Sequence, residues 1–187
     1  MSITAIVLSA QPYTPTFVGI EVLTHRSIIR NAAELQAARY AAVARVRTSH
    51  FFFLDDDDEL LADHVATLDQ CVAADQALAY TDELIRYVDG TEKTTARQAY
   101  SQAAHRADPM LVHHLALCRT AEALDAIKRV PRGHFCPELL LYWELAKAGA
   151  AYVPAVGYVW NKGHGMHTWP LTAISQVRSA LWCKEHP

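Results

Sequence analysis

The sequence has no apolar run approaching the length that spans a bilayer, and its opening residues, MSITAIVLSAQPY, carry no basic segment ahead of their short apolar stretch. Neither a membrane-spanning helix nor a secretory leader is expected, and that stretch reads as a strand. Cysteine is sparse: Cys71, Cys118, Cys136 and Cys183 stand far apart and form no CxxC pair. Neither a zinc knuckle nor a disulfide framework is suggested, and reduced thiols in the cytoplasm are expected. An excess of positive charge is also lacking, since 17 Lys and Arg against 20 Asp and Glu leave a formal net charge of −3. No broad basic face is available to neutralise many phosphates. There is no internal repeat and no low-complexity tract. What is present, 51% hydrophobic and 20% charged residues over 187 positions, suits one folded domain.

Local patterns divide the chain into alternating elements. ITAIVLS (Ile3 to Ser9) and VGIEVLT (Val18 to Thr24) are short, β-branched and apolar, as strands are, with the turn-prone QPYTPT between them. From Asn31 the period becomes helical in NAAELQAARYAAVARVR, with Leu35, Ala42, Val43 and Val46 on one face and Asn31 with Glu34 as a capping box. FFFL is too short and continuous for an amphipathic helix and suits a strand buried on both faces. ELLADHVATLDQCVAAD is expected to be helical from about Leu60, ALAYTDELIRYV a strand, Asp89-Gly90 a turn, and TEKTTARQAYSQ a mobile loop. HHLALC then reads as a strand, TAEALDAIKR as a helix capped by Thr120, and PELLLYWELAKAG as a helix from Pro137 to a stop at Gly149. AAYVPAVGYVW is a further strand, NKGHGMHTW a loop, and LTAISQVRSALWCKE a terminal helix. This order predicts an α/β sandwich with a mostly parallel mixed central sheet, in which ligands bind beyond the carboxyl ends of the strands.

The stretch HFFFLDDDDELLADH, His50 to His64, drives a buried strand into four consecutive aspartates. Neighbouring carboxylates repel by on the order of 1 to 3 kcal/mol per pair at an effective dielectric of about 20, so clustering them calls for a positive partner. In an extended chain Asp55 and Asp57 share one side, and Asp56 and Asp58 the other. Asp58 and Glu59 can be explained as first-turn acids facing a helix dipole, whereas Asp55 and Asp57 together suit a divalent cation, Mn²⁺ or Mg²⁺, shared with phosphate oxygens. Arg39 falls within the apolar stripe of the preceding helix, where it must either snorkel to solvent or meet an anion.

These residues resemble the GT-A glycosyltransferases of the family-2 type, whose pattern of an alanine–arginine pair on a helix, a buried strand and a DxDD motif is matched by AARYAAVARVRTSHFFFLDDDDEL. The likeness continues through ALAYTDELIRYVDG and LALCRTAEALDAI, and covers roughly residues 19 to 169. It implies a single GT-A-like domain over 1–187, with 1–110 as the nucleotide-sugar and metal half and 111–187 as the acceptor and catalytic half. It implies donor binding by Ser9, Arg39, Asp55 and Asp57, with Asp55 on the donor ribose. It also implies a metal on Asp57 and on His164 or the alternate His167, and a catalytic base at Glu138, where the family has the second acid of a pair; here Pro137 replaces the first. Only about ten residues separate Ser9 from the next strand, so the family's helix and base-contacting aspartate at that place are missing.

The implied activity is metal-dependent, inverting transfer of a sugar from a nucleoside-diphosphate sugar to an acceptor hydroxyl on a saccharide, a small molecule or a nucleic-acid base. The competing readings are a reduced GT-A-like domain that binds a nucleotide or partner without turnover, and a phosphohydrolase of the haloacid-dehalogenase type. The last places DxD after its first strand with threonine or valine two positions on, where this chain has Glu59. Tyr158, Trp160 and Trp169 offer stacking surfaces or ordinary packing.

Overall fold

The computed structural model describes residues 2–13, 15–163 and 170–187. The chain opens with β1 (Ile3–Ser9), buried along both faces, which pairs in parallel with β2 (Ile20–Arg26). β2 starts two residues later than its sequence suggests, because Val18 is exposed and Gly19 takes a φ of 73° in the turn that enters the strand. No helix lies between β1 and β2 among the described residues, in keeping with the short interval there. In α1 (Ala32–Val43) the Asn31 side chain accepts the Glu34 N–H at 3.0 Å as expected. The second half of the capping box differs, since the Glu34 carboxylate accepts the N–H of Arg30 at 2.8 Å rather than that of Asn31.

β3 (His50–Asp55) lies beside β1 in parallel, with Phe51, Phe52, Phe53 and Leu54 all 2% exposed or less. Successive side chains point to opposite faces. Phe51 and Phe53 enter a core with Ala42 and Val43 of α1, while Phe52 and Leu54 pack with Leu68 and Cys71 on the other side of the sheet. Both faces of the strand are therefore covered by helices, as a continuous apolar run requires.

The helix expected from about Leu60 begins only at α2 (His64–Ala73), because Glu59 and Leu60 form β4 (Glu59–Leu60) and pair antiparallel with Val159 and Tyr158. Pairing with a distant strand overrides local helix propensity here. β5 (Leu78–Tyr87) is followed by the expected turn at Asp89-Gly90, but TEKTTARQAYSQ is no simple loop. It contains β6 (Glu92–Thr95), which folds back on β5, and leads through Ser101, whose hydroxyl accepts the Ala104 N–H, into α3 (Gln102–Ala107). β7 (Ala116–Arg119) enters α4 (Thr120–Ile127), and Thr120 is not its side-chain cap: its hydroxyl donates to the Thr48 carbonyl at 2.9 Å. α5 (Pro137–Ala146) begins on its proline as predicted, and Gly149, at φ 122°, turns the chain into β8 (Ala150–Lys162). The final element is α6 (Pro170–Glu185).

The sheet order is β2-β1-β3-β7-β5-β8-β4, with β6 on the edge of β5 beyond β7. Its long ladders, β1 with β2, β1 with β3, and β5 with β8, are parallel, while the antiparallel pairings are short. This is the α/β sandwich with a mostly parallel mixed sheet that the element order predicts. No described helix is long and apolar enough to cross a membrane.

α3 is anchored by His105, 1% exposed, whose ring meets Trp143 at 5.0 Å and Tyr100 at 5.7 Å. Burial pushes the His105 imidazole down from 6.5 to about 4, against a hydrogen bond with Pro109 and the charge of Asp108. The folded chain therefore binds fewer protons here than the unfolded chain, and the stability present above about pH 6.5 is lost as pH falls towards 4. Urea unfolding between pH 7 and 4.5 should show wild-type protein losing on the order of 1 to 3 kcal/mol more than His105→Leu; parallel pH profiles would contradict this.

Candidate functional site

β1 and β3 run in the same direction and end at Ser9 and Asp55, and an open cleft of about 330 Å³ lies beyond these ends. Ser9, Arg39, Asp55, Asp57 and Glu138, all singled out in the sequence, line it together. This is where an open α/β sheet binds ligands. Ser9 is buried and its hydroxyl accepts the Gln11 N–H at 3.2 Å, which curls the chain away from the strand end.

The four aspartates do not continue the strand. After Asp55 the chain makes a tight turn in which the Asp58 N–H donates to the Asp55 carbonyl at 3.1 Å. A turn brings its first and fourth residues together, so Asp55 meets Asp58, and the alternation that pairs Asp55 with Asp57 stops at the strand end. Asp58, 5% exposed, accepts the Tyr158 O–H at 2.7 Å and the Asn161 N–H at 2.8 Å. It is thus not a first-turn helix acid, and neither is Glu59, which lies in β4 and pairs with Arg86 at 2.6 Å. Burial, then the charge of Asp55, raises the Asp58 carboxyl to about 7, although its hydrogen bonds with Asn161 and Tyr158 pull the other way. Asp56 is exposed, and Asp57 lines the cleft while its carbonyl accepts the Asn161 side-chain amide at 2.6 Å.

Arg39 does not snorkel. It is 6% exposed, its guanidinium lies 4.7 Å from the centre of the Phe53 ring, and it is held between two acids. Nη2 donates to Asp55 Oδ1 at 2.5 Å, and Nε stands 2.5 Å from Glu138 Oε1 without the alignment of a hydrogen bond. Burial opposes the Arg39 charge, but Glu138 and Asp55 outweigh it and move its pKa up. Glu138 stands in the first turn of α5 and accepts the Cys136 thiol at 3.3 Å, while the Tyr40 hydroxyl donates to the Pro137 carbonyl at 3.0 Å and fixes that helix start against α1.

Asp55, Asp58 and His114 each offer a ligand atom, all within 4.8 Å of one another. Two carboxylates and an imidazole suit Mn²⁺; Mg²⁺ favours an all-oxygen shell. The raised Asp58 carboxyl fits the same requirement, since a cation would offset the charge that a proton otherwise removes. Asp57 is not part of this group, and His164, His167 and Trp169 lie outside the described residues. His114 carries no sequence signal of its own: HHLALC reads as a strand, whereas β7 spans only Ala116–Arg119 and the two histidines lie ahead of it, separated from it by Leu115. Tyr158 is fully buried and stacked on His114, with ring centres 4.6 Å apart and planes at 7°.

No family model and no curated protein sequence matches the chain. Solved structures do. S. aureus TarS 1-349 in complex with UDP-GlcNAc aligns with a TM-score of 0.62 at 12% identity over 89% of this chain and 60% of that one. TarS 1-349 in complex with UDP aligns at 0.57 with 12% identity over 86% and 60%, and TarS 1-349 alone at 0.60 with 11% identity over 86% and 60%. The chain thus spans about 60% of the length of these structures. At such identity the likeness establishes the fold, which is GT-A-like and of Rossmann type.

The pairing of Arg39 with two half-buried acids predicts that Arg39→Met, which leaves both without their cation, loses about 3 to 5 kcal/mol in urea unfolding. Arg39→Lys, which keeps the charge but not the planar fork, should fall between the two. Unchanged stability in Arg39→Met would show that the three groups do not depend on one another.

Proposed function

We propose that the chain is a cation-dependent glycosyltransferase that moves a sugar from a nucleoside-diphosphate sugar to an acceptor hydroxyl with inversion. The observation that carries this reading is the Asp55–Asp58 turn at the carboxyl ends of two parallel strands, facing the cleft that also contains Arg39 and Glu138. The GT-A-like fold supports it, and because the aligned TarS structures hold UDP-GlcNAc and UDP, UDP-sugars are the first donors to test.

In this reading Ser9 and Asp55 bind the donor's nucleoside end, Asp55 through the ribose. Asp55, Asp58 and His114 would hold the cation, and Asp57 with His164 or His167 is kept from the family resemblance as a further candidate ligand. When bound, Mn²⁺ or Mg²⁺ supplies Lewis-acid charge against the diphosphate. Arg39 keeps Asp55 and Glu138 in register and adds positive potential at the cleft wall. Glu138 takes the proton from the acceptor hydroxyl as its oxygen bonds to the anomeric carbon. The bond to the diphosphate breaks on the opposite face and the diphosphate leaves with the electron pair. Residues 1–110 then serve mainly the donor and 111–187 the acceptor, which is a saccharide, a small molecule or a nucleic-acid base. We assign the reaction to the cytoplasm, consistent with four free cysteines.

A second reading, a domain that binds a nucleotide or partner without turnover, is favoured by the absence of a helix between β1 and β2 among the described residues. Two variants separate the readings in an assay of UDP release from UDP-sugars with Mn²⁺. Asp57→Asn should abolish release while leaving the circular dichroism unchanged, and Glu138→Gln should lower transfer at least a hundredfold with donor affinity changed by less than about threefold. Wild-type protein that binds donor yet releases no UDP would favour the non-catalytic domain, and unaltered turnover in Asp57→Asn would remove that residue from the cation site.

A further inference from the structure

Glu83 is 1% exposed, among the most deeply buried charged side chains of the molecule. It lies in β5 where the pairing with β8 shifts register between Thr81 and Asp82 and again between Asp82 and Leu84. Such irregularities re-aim side chains next to functional sites. A carboxylate so deeply buried is costly unless each oxygen has a charged or hydrogen-bonding partner. Glu83 has both: Oε1 pairs with the Arg97 guanidinium, and Oε2 meets His113 Nδ1 at 2.7 Å.

These partners come from either side of α3. Arg97 also donates from Nη1 to the Met110 carbonyl at 2.8 Å, and its backbone N–H donates to Asp82 at 2.6 Å, which in turn accepts the Tyr152 hydroxyl at 2.9 Å. One carboxylate therefore ties down the whole segment from 97 to 113, whose end, at Met110, Val112 and His113, forms a wall of the cleft. The chain of contacts then continues inward. The His113 ring lies 4.0 Å from that of His114, and its other neighbour is Trp160 at 5.1 Å. His114 is stacked on Tyr158 and also packs against the His113 ring, which is tilted by 59° to it, and the Tyr158 hydroxyl donates to Asp58.

We propose that Glu83 is a positioning residue for the cation site. It has no ligand atom in the Asp55, Asp58 and His114 group; by gripping His113 it fixes one side of the slot in which the His114 ring sits, and so sets where the His114 nitrogen stands relative to the two carboxylates. The proposal rests on the reading of that group as a cation site. Groups hydrogen-bonded directly to a metal ligand tune its affinity by about tenfold to a hundredfold, and Glu83, acting one contact further out through His113, belongs at the lower end of that range.

The test is titration of the full chain with Mn²⁺ by calorimetry, with the electron paramagnetic resonance signal of Mn²⁺ as an independent readout, in wild type, Glu83→Gln and His113→Phe. Circular dichroism melting of each protein without metal establishes that the titrations are made on folded chain. Wild type should bind one Mn²⁺, and Glu83→Gln should bind it about tenfold more weakly. His113→Phe keeps a ring against His114 but loses the hydrogen bond to Glu83; it should show a similar loss, and it carries the test should Glu83→Gln not fold. A Glu83 that merely stabilises the fold would lower the melting temperature and leave Mn²⁺ affinity unchanged below the transition, and that result overturns the proposal alone. Absence of Mn²⁺ binding in wild type overturns the cation reading and this proposal with it.

Discussion

The arrangement of the cleft depends on a single buried guanidinium. Arg39 sits on the Phe53 ring with Asp55 on one side and Glu138 on the other, and so joins α1, the end of β3 and the first turn of α5. A cation in an apolar stripe is tolerable only with anions beside it, and each acid at these half-buried positions is tolerable only with a cation. The three side chains thus fix one another's places. The same constraint brings the residue proposed to contact the donor within reach of the residue proposed to take the acceptor's proton, although 83 positions separate Asp55 from Glu138 in the chain.

Against this balanced trio the adjoining turn is unbalanced. Asp55 and Asp58 are drawn together by the backbone hydrogen bond that closes the turn, and among the described residues the groups that donate to Asp58 are a hydroxyl and a backbone amide. The consequence is a carboxyl raised to about 7 by burial and by its neighbour's charge. Local stability alone gives no reason to keep two acids and a histidine so close. The proposed cation site would supply one, and the aromatic and polar contacts around His114 and Asp58 would then serve to hold its ligands in place.

How much was legible in the sequence follows from the range of the interactions. β1, β3, α1 and α5 are written in local signals: an unbroken apolar run for a strand covered on both faces, an asparagine cap, a proline at the first helical position and a glycine at the stop. Arg39 and Asp55 could be singled out because each is anomalous within its own element, whereas Glu138, an ordinary first-turn acid, is reached only through the resemblance to the family's acidic pair. Asp58 could not be read correctly, since ELLAD fits a helix start and its partners Tyr158 and Asn161 are 100 and 103 residues away. The hairpin formed by β6 was signalled by Asp89-Gly90, but the polar segment after it offered no apolar alternation to mark a strand. His113 and His114 became meaningful only when folding set them beside Glu83, Tyr158 and the aspartate turn.

The proposed function requires the cleft to bind a nucleoside-diphosphate sugar together with a divalent cation. Calorimetric titration of wild-type chain with a panel of such donors, in paired runs with Mn²⁺ and with chelator, tests it most directly. At least one donor should bind saturably, and its binding should strengthen about tenfold or more with Mn²⁺ present. Binding of equal strength in both runs, or no binding of any donor, would contradict it.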